Sequence, residues 1–342
     1  MYAAITGWGT ALPPRVVSNT ELAATIGADA AWIEQRTGII ERRHANPGET
    51  TATLAARAGR SALSAAGVQA RDLDLVVVAT MTPDQPCPPT APLVQHALGA
   101  TAAGAFDVNA ACAGFLSALA AASAMVRTGG AMRALVIGAE VMSRVVDPAD
   151  AKTFVLFGDG AGAAVIESSQ EQSGLMWTTL GADGSGSHLI GIPAGGSAMP
   201  TTAGTVAANA HVLSMDGPEV FRAAVRTMVA ASGRALMMGD LRPRNIDLFV
   251  CHQANLRIIR ACAEKLGIPP ERVYSNVERY GNTSAASIPL ALAEAGSEGL
   301  LRDGSTVLIA AVGAGLTWGA GVLSWTAARG IQAGARAREA VR

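Results

Sequence analysis

Aromatic and charged side chains are scarce in this sequence. Of its 342 residues, 4% are aromatic and 15% are charged, whereas 50% are hydrophobic. The interior must therefore be built mainly from Ala, Val, Leu and Ile, which are among the residues most often buried in folded proteins. A chain of this length is long enough for one large domain or for two packed domains.

Net charge and long apolar stretches are also lacking. The formal charge is −1 at pH 7, so no overall field attracts nucleic acid or an anionic membrane surface. Apolar stretches are interrupted by Gly, Ser or charged residues well before the roughly 18 residues that a transmembrane helix needs. The opening segment MYAAITGWGTALPP has no basic region followed by a long apolar one, so no signal peptide is expected. We therefore predict neither a nucleic-acid partner nor a membrane partner.

Cysteines are few and unpaired in sequence. The four cysteines, at positions 87, 112, 251 and 262, form no CxxC motif and show no spacing typical of a zinc site. This pattern argues against a disulfide framework and against a metal centre. It suits a reducing compartment, and a cytoplasmic location is expected.

Short runs of Val, Ile and Leu alternate with Ala-rich segments of helical length. The runs are LDLVVVAT (73–80), RALVIGAE (133–140), IDLFVCHQ (246–253) and STVLIAAVG (305–313). Their apolar residues are consecutive rather than alternating with polar ones, which is typical of strands covered on both faces. The alternation predicts an α/β fold.

The strand-like runs recur at a nearly constant offset. Asp74 and Asp247, which begin DLVVVAT and DLFVCHQ, are 173 residues apart, and Leu135 and Val307 are 172 apart. Within each copy a helix, an extended piece, an elbow of small residues and a second helix follow. This order predicts a duplicated α/β unit with halves at 1–170 and 171–342. Ordinary βαβ regularity is the alternative interpretation.

Three residues stand where such a fold places chemistry. Cys112 precedes an Ala-rich helix, whose N-terminus favours a thiolate and offers N–H groups to an oxyanion. His252 follows a predicted strand, and Asn282 lies in the elbow of the second copy. Singly, they are equally well a packed cysteine, a core histidine and a turn asparagine. The duplication, however, predicts that all three meet in one central cleft.

Together these side chains suit acyl transfer coupled to decarboxylation. A cysteine nucleophile forms an acyl-enzyme, and His with Asn supplies two hydrogen-bond donors for an enolate. Decarboxylation of a malonyl thioester produces such an enolate. The Cys112 amide and the Gly-rich segment VGAGLTWG (312–319) are expected to form a second oxyanion hole.

Six motifs resemble the thiolase superfamily, and most closely the β-ketoacyl-acyl-carrier-protein synthase III family. They are DAAWIEQRTGIIERRH (29–44), DVNAACAGF (107–115), FGDGAGAAV (157–165), CHQANLRII (251–259), YGNTSAASIP (280–289) and GAGLTWGA (313–320). The resemblance implies a thiolase-like duplicated αβαβα fold of five layers, a homodimer and the catalytic residues Cys112, His252 and Asn282. It implies no metal and no cofactor, since coenzyme A and carrier-protein thioesters are the substrates.

The reaction implied by the resemblance is a ping-pong Claisen condensation. An acyl group passes from an acyl thioester to Cys112, and malonyl carrier protein is then decarboxylated. The resulting carbanion attacks the acyl-enzyme to give a 3-oxoacyl carrier protein. Such reactions initiate fatty-acid or specialised polyketide synthesis.

The resemblance also assigns roles to single positions. The oxyanion hole uses the backbone amides of Cys112 and Ala314, and Ala314 replaces a glycine of the family. The substrate-binding positions are Trp32, Arg36, Cys87, Phe157, Met215 and Asn255. The basic residues expected to dock the acidic carrier protein are Arg222, Arg257 and Lys265.

Three positions depart from the family's pattern. Ala151 stands where an arginine often closes over adenine, and Ala28 stands where a threonine often lies near the nucleotide. These changes leave room for a donor borne by a carrier protein rather than by coenzyme A. Cys87 replaces a phenylalanine that often caps the acyl pocket of the neighbouring subunit. A smaller side chain there predicts a donor larger than acetyl.

Two other functions are open at this stage. One is a related acyltransferase that uses acyl-Cys112 to acylate an alcohol, an amine or a carrier thiol without decarboxylation. The other is a non-catalytic partner within a synthase complex. Asn282 favours condensation over simple acyl transfer, and the complete triad argues against a scaffold.

Overall fold

The computed structural model describes residues 1–326, so the last part of the predicted second half, 327–342, lies outside the described residues. The strands are β1 (Tyr2–Ala11), β2 (Arg15–Ser18), β3 (Glu41–His44), β4 (Leu75–Ala79), β5 (Gly104–Val108), β6 (Arg133–Val141), β7 (Asp159–Ser169), β8 (Gly174–Ala182), β9 (Ile190–Gly191), β10 (Ser214–Met215), β11 (Leu248–Cys251), β12 (Thr306–Gly313) and β13 (Thr317–Ser324). The α-helices are α1 (Asn19–Ile26), α2 (Ala30–Thr37), α3 (Thr51–Ala66), α4 (Thr90–Leu98), α5 (Gly114–Arg127), α6 (Ala151–Phe154), α7 (Ala203–Ala207), α8 (Gly217–Met238), α9 (Leu256–Leu266), α10 (Val277–Tyr280) and α11 (Ser287–Ser297).

Nine strands follow one another in the order β11-β12-β13-β8-β1-β7-β6-β4-β5. Strand β4 pairs in parallel with β5 and β6, and β11 pairs in parallel with β12. Strands β1, β7 and β6, like β12 and β13, are antiparallel neighbours. The predicted α/β class is confirmed, with a sheet of mixed direction.

The nine strands consist of two copies of one topology. The first reads β5-β4-β6-β7-β1 and the second reads β11-β12-β13-β8, and a single bridge between Ala3 and Gly174 joins them. A further bridge, between Val273 and Phe249, lies beside β11 where the first copy has β5. The matching order supports the predicted duplication, and a division at 170/171, between β7 and β8, stays a prediction.

Helices fill three layers around the two half-sheets. Helices α5 and α11 share one core with strands of both copies. Helices α3 and α4 cover the outer face of the first half-sheet, and α8 and α9 cover that of the second. The predicted five-layered αβαβα arrangement is therefore confirmed, and its central helices are those that follow the two elbows.

Small residues allow these layers to approach closely. A Cβ placed on Gly9 of β1 would lie 2.2 Å from the Ala62 nitrogen of α3, and one on Gly138 of β6 would lie 2.3 Å from the Ala285 oxygen. Such contacts leave no space for a methyl group. The high Gly and Ala content of the sequence is therefore explained by backbone-to-backbone packing.

Candidate active site

A cavity of about 600 Å³ is lined by Cys112, His252 and Asn282 together. Its walls come from both copies of the fold, because Cys112 belongs to the first and the other two residues belong to the second. The predicted meeting of the three side chains is thus found in the structure. Two further predicted residues, Phe157 and Ala314, also line this cavity.

Cys112 lies in a 3₁₀ turn, Ala111–Ala113, immediately before α5. The second copy has the same turn, Ser284–Ala286, immediately before α11. Ala111 has φ +46° and Ser284 has φ +48°, a left-handed conformation that costs energy for residues other than glycine. Both elbows therefore hold the same strained backbone, 173 residues apart.

The elbows match each other residue by residue. The Ala111 N–H donates to Asn109 Oδ1 at 3.2 Å, and the Ser284 N–H donates to Asn282 Oδ1 at 2.9 Å. Asn282 is therefore the counterpart of Asn109, and the counterpart of Cys112 is Ala285. Because Oδ1 of Asn282 is already engaged, its Nδ2 amide is the group that remains for a ligand in the cavity.

His252 follows β11 directly and is held at both its backbone and its ring. Its N–H donates to the Ala310 oxygen at 2.8 Å, and its Nδ1 lies 2.7 Å from Ser287 Oγ. Burial lowers the pKa of His252 to about 4, because a charged imidazolium would lose its hydration. The ring is consequently neutral at physiological pH.

The thiol of Cys112 is also neutral in this site. Its pKa is raised to about 12, mainly by burial and to a smaller extent by the charge of Glu140, against a lowering influence of Ser284. Desolvation is the largest of these influences and acts against the lowering expected from the helix N-terminus. Cys112 and His252, which line the same cavity, are therefore both uncharged at neutral pH.

The loop between β12 and β13 docks on the Cys112 elbow. A Cβ on Gly313 would lie only 2.7 Å from the Cys112 nitrogen, and Thr317 Oγ1 donates to the Ala110 oxygen at 2.8 Å. Ala314 follows Gly313 and lines the cavity beside Cys112. These contacts support the predicted oxyanion hole.

The cavity mouth is aromatic and basic. Trp32 is 39% exposed, and the Arg257 guanidinium lies 5.6 Å from the centroid of the Phe221 ring. Arg222 forms an ion pair with Glu219. The predicted binding and docking residues at this mouth are Trp32, Arg36, Met215, Arg222, Asn255 and Arg257, with Ala151 and Lys152 beside them.

Asn255 has a structural task as well as a place in the cavity. It is the N-cap of α9, where its Oδ1 accepts the Arg257 N–H at 2.8 Å, and its Nδ2 donates to the Arg36 oxygen at 3.1 Å. Asn255 thus fastens α2 to α9, which sets the relative positions of Arg36 and Arg257.

Cys87 and Lys265 are not brought to the cavity of this chain. Cys87 is exposed and lies outside the cavity lining. Lys265 is exposed in the last turn of α9, two turns beyond Arg257. Ala28 is exposed and likewise lies outside the lining. The assigned role of Cys87 requires a neighbouring subunit and stays a prediction.

Three polar residues around the triad were not anticipated from the sequence. They are Glu140, Ser284 and Ser287, all of them buried. The signal for Glu140 was a single carboxylate inside the apolar run RALVIGAEV, since charged residues are rarely buried without partners. The two serines gave no comparable signal among the small residues of the second elbow.

Within residues 1–326, no group of three or more His, Cys, Asp or Glu side chains is arranged to hold a metal ion. The same part of the chain contains no helix long and apolar enough to cross a membrane.

A duplicated five-layered fold with Cys, His and Asn in one cavity defines a thiolase-like condensing enzyme, which transfers acyl groups. Two family models agree with this class. One model describes the C-terminal part of 3-oxoacyl-[acyl-carrier-protein] synthase III and matches residues 236–325. The other describes 3-oxoacyl-[acyl-carrier-protein] synthase III and matches residues 106–184. The chain belongs to the β-ketoacyl-[acyl-carrier-protein] synthase III family.

Relatives share nearly the whole length of the chain. The β-ketoacyl-[acyl-carrier-protein] synthase III of Roseiflexus sp. strain RS-1 is 47% identical over 326 residues, which is 95% of this chain and 99% of that protein. The crystal structure of the synthase III from Aquifex aeolicus VF5 is 42% identical, with a TM-score of 0.87 over 94% of this chain and 100% of that one. The priming β-ketosynthase of the R1128 polyketide pathway is 39% identical, with a TM-score of 0.89 over 95% and 97%.

Proposed function

We propose that this enzyme loads an acyl group from a thioester onto Cys112 and condenses it with malonyl carrier protein to give a 3-oxoacyl carrier protein. The observation that carries the proposal is the convergence of Cys112, His252 and Asn282 on one cavity with an aromatic and basic mouth. The family membership supports the reaction type, and the geometry of the cavity supports the choice of residues.

In the first half-reaction the Cys112 sulfur attacks the carbonyl carbon of the donor thioester. The oxyanion that forms is held by the amides of Cys112 and Ala314. The bond from the carbonyl carbon to the leaving sulfur then breaks. Because Cys112 begins as a neutral thiol, its proton must pass to the departing thiolate, and the products are acyl-Cys112 and a free thiol.

In the second half-reaction the malonyl group loses carbon dioxide, and negative charge builds on its thioester oxygen. Asn282 Nδ2 and His252 Nε2 are the donors for this enolate. Ser287 Oγ, which also accepts the Gln253 N–H at 3.3 Å, donates its proton to Nδ1 and thereby leaves the ring proton on Nε2. The enolate carbon attacks the carbonyl carbon of acyl-Cys112, the bond from that carbon to Sγ breaks, and the departing thiolate takes one proton from solvent to regenerate the thiol.

Carrier protein and donor enter from the basic mouth in this proposal. The acidic carrier protein contacts Arg222 and Arg257, with Lys265 farther along α9, because such proteins attract basic rims. A coenzyme A nucleotide would stack on Trp32 and pair with Arg36. Ala151 supplies no guanidinium to close over adenine, which leaves room for a donor borne by a carrier protein as well as by coenzyme A. The enzyme needs no cofactor and acts in the cytoplasm, where its free cysteines stay reduced.

The proposed enzyme is a homodimer built on the edge strand β5. This strand ends the nine-strand order, and its Phe106 is 37% exposed. An open edge with an exposed aromatic side chain is suited to pairing with a second copy. In that pair Cys87 reaches the acyl pocket of the neighbouring subunit and, being small, admits branched, medium-chain or aromatic donors.

Intact-protein mass spectrometry tests the proposal. The enzyme is incubated with a panel of acyl thioesters on coenzyme A and on carrier protein, and then with malonyl carrier protein. We expect a mass increase equal to the acyl group, which disappears with release of carbon dioxide and formation of a 3-oxoacyl carrier protein. Cys112→Ala should remain unacylated. Transfer of the acyl group without carbon dioxide release would identify a simple acyltransferase instead.

A further inference from the structure

Gln253 follows His252 directly, but its side chain lies behind the wall of the cavity. The residue is 1% exposed and does not line the cavity, whereas His252 and Ala254 on either side of it do. A buried amide is costly unless its donors and its acceptor are hydrogen-bonded. Because Gln253 takes no part in the proposed chemical steps, the partners of its amide indicate its role.

The Gln253 amide joins the end of β11 to residues 274–280, which we call the α10 segment. Its Nε2 donates to the Cys251 oxygen at 2.7 Å and to the Tyr274 oxygen at 3.4 Å, and its Oε1 accepts the Asn276 N–H at 3.0 Å. Two donors and one acceptor therefore meet two carbonyl groups and one N–H. The α10 segment continues the bridge that lies beside β11 where the first copy has β5, so the amide makes contacts that a full strand pair would otherwise make.

The main chain of Gln253 acts on the ring of His252 through Ser287. The Gln253 N–H donates to Ser287 Oγ at 3.3 Å, and the same oxygen lies 2.7 Å from His252 Nδ1. Since an N–H group can only donate, the hydroxyl accepts at Gln253, and its proton is directed to Nδ1. The position of Gln253 therefore influences which ring nitrogen carries the proton, and Nε2 is the nitrogen assigned to the enolate.

Glu294 of α11 holds the α10 segment from its other side. Its Oε2 accepts Asn276 Nδ2 at 2.7 Å and Arg279 Nη2 at 3.2 Å, and the Tyr280 hydroxyl donates to its Oε1. Asn276 is buried and is held twice, by Gln253 through its N–H and by Glu294 through its side chain. The α10 segment is thus clamped between β11 and α11.

The clamped segment leads directly into Asn282. Tyr280 precedes Asn282 by two residues in the chain. On its other side the Asn282 N–H donates to the Leu156 oxygen at 2.8 Å, and the Asn282 oxygen accepts the Gly158 N–H at 3.1 Å. Asn282 is therefore supported both by the α10 segment and by residues next to β7, and loosening the segment removes the first of these supports.

We propose that Gln253 is a positioning residue for decarboxylation: by holding the end of β11 against the α10 segment, it sets His252 and Asn282 relative to each other as donors to one enolate oxygen. Such donors act only at about 2.7–3.1 Å from the oxyanion, so a small displacement of either one is costly. The oxyanion hole at Cys112 is positioned by the loop between β12 and β13, so acylation should not depend on Gln253. The inference rests on the proposed function.

Gln253→Met tests the inference in the full-length enzyme, because methionine keeps the length of the side chain but makes none of the three hydrogen bonds. For carbon dioxide release from malonyl carrier protein by the acylated enzyme, kcat should fall on the order of tenfold or more, as for a small misplacement of reacting groups. The KM of this step and the rate of Cys112 acylation should stay within about twofold of the parent, because only a transition-state contact is weakened. Gln95→Met is the matched control: Gln95 on α4 also donates to a backbone oxygen, that of Ala100 at 2.5 Å, and both half-reactions should match the parent.

Nitrogen-15 NMR of the histidine-labelled enzyme gives a second readout, since it reports which ring nitrogen carries the proton. The His252 signals are those that disappear in His252→Gln. The parent should show a protonated Nε2, and the signals of Gln253→Met should shift toward those of Ser287→Ala, which has no hydroxyl to direct the proton.

Three results would each overturn the inference: parent-like His252 signals in Gln253→Met, a kcat within about twofold of the parent, or an equal loss of both half-reactions. Should Gln253→Met not fold, Asn276→Ala, which removes the side-chain link to Glu294, tests the clamp by the same selective loss of decarboxylation. Failure of the proposed function would appear separately, as a parent enzyme that forms no acyl-Cys112 or releases no carbon dioxide.

Discussion

Asn282 and Asn109 occupy equivalent positions in the two elbows, one inside the cavity and one outside it. Each caps its own elbow through Oδ1, but of the two only Asn282 lines the cavity. Comparing the two asparagines therefore separates the capping of an elbow, which both perform, from the proposed hydrogen bond to the enolate, which is assigned to Asn282.

Asn282→Ala should lower decarboxylation of malonyl carrier protein by about 10²–10³-fold, the usual cost of losing one oxyanion donor. Acylation of Cys112 should change only a few-fold, because it uses the other hole. Carbon dioxide release and acyl-enzyme mass are measured on the same preparations. Asn109→Ala, which loses the equivalent cap, should retain decarboxylation. An equal loss of both half-reactions in Asn282→Ala contradicts the assignment.

His252 makes stability depend on pH. Its pKa falls from about 6.5 in the unfolded chain to about 4 in the folded protein, so between these values the unfolded state binds the extra proton and stability falls as pH falls. From pH 7.5 to 5 this residue alone costs about 2 kcal/mol.

The free energy of unfolding, measured by urea denaturation, should fall between pH 7.5 and pH 5 in both proteins. The fall should be about 2 kcal/mol smaller in His252→Gln than in the parent. Glu140, whose pKa burial raises to about 6, acts in the opposite direction but equally in both proteins. His96→Gln, in an exposed position on α4, is the control and should follow the parent. If the free energy of unfolding depends on pH identically in the parent, His252→Gln and His96→Gln, the assigned role of His252 in the pH dependence is contradicted.

At the scale of single residues, the three triad positions could be predicted from the sequence, but the buried polar residues around them could not. Cys112, His252 and Asn282 stand in recognisable local contexts, at an elbow or at a strand end. Glu140 and Ser284 are 144 residues apart, and nothing in either segment announces their contact. The burial that raises the pKa of the Cys112 thiol was not visible for the same reason, because the extent of burial is a property of the folded cavity.

Elements pack here with glycine at the points of closest approach. The end of β12 touches the Cys112 elbow through Gly313, where a Cβ would lie 2.7 Å from the Cys112 nitrogen and 2.9 Å from the Ala110 oxygen. Both neighbours are backbone atoms that cannot turn aside.

Gly313→Ala should push β12 away from the elbow and widen the oxyanion hole. We expect acyl-enzyme formation to fall by at least about 10²-fold, in line with loss of an oxyanion donor, and the protein to be less stable. Gly233→Ala is the matched control, since a Cβ there meets nothing within 4 Å and the position lies inside α8. That control should gain about 0.5–1 kcal/mol in stability and keep full acylation; full acylation in Gly313→Ala counts against the proposed hole.

Element order was more predictable than element geometry. The constant offset between DLVVVAT and DLFVCHQ predicted equivalent strands, because buried strands are visible as continuous apolar runs. Their mixed direction was not predicted, because β7 and β13, the strands that return antiparallel beside β6 and β12, were not identified from the sequence. Val273 is a further example: its bridge to Phe249 replaces a whole strand of the first copy.

Within residues 1–326 the nine-stranded sheet ends at β5, whose outer side has no neighbouring strand. Phe106→Lys would place a charge on that edge, and charged edge residues oppose strand pairing. We expect the parent to sediment as a dimer and the variant as a monomer in analytical ultracentrifugation. Leu180→Lys, which replaces a residue 48% exposed on β8, is the control and should remain dimeric. A parent that sediments as a monomer contradicts the proposed assembly.

The donor preference of Cys87 variants gives a second test of the proposed dimer. Cys87→Phe should restrict donors toward acetyl, because a larger side chain fills the acyl pocket of the neighbouring subunit. Competition between acetyl and longer thioesters, followed as acyl-enzyme mass, measures the change, and Cys87→Ser should keep the broad range. An unchanged preference in Cys87→Phe shows that position 87 does not reach the pocket.

The two ends of the strand order are unequal. At the β11 end the Tyr274 N–H donates to the Phe249 oxygen at 3.0 Å, so that border is already occupied by a piece of the same chain. A sheet with a free edge at only one end can pair that edge with the same edge of a second copy, related by a two-fold axis. No further free edge of that sheet is then left for pairing. In the proposed dimer, growth by strand pairing at β5 would therefore stop at two copies instead of continuing into a fibre.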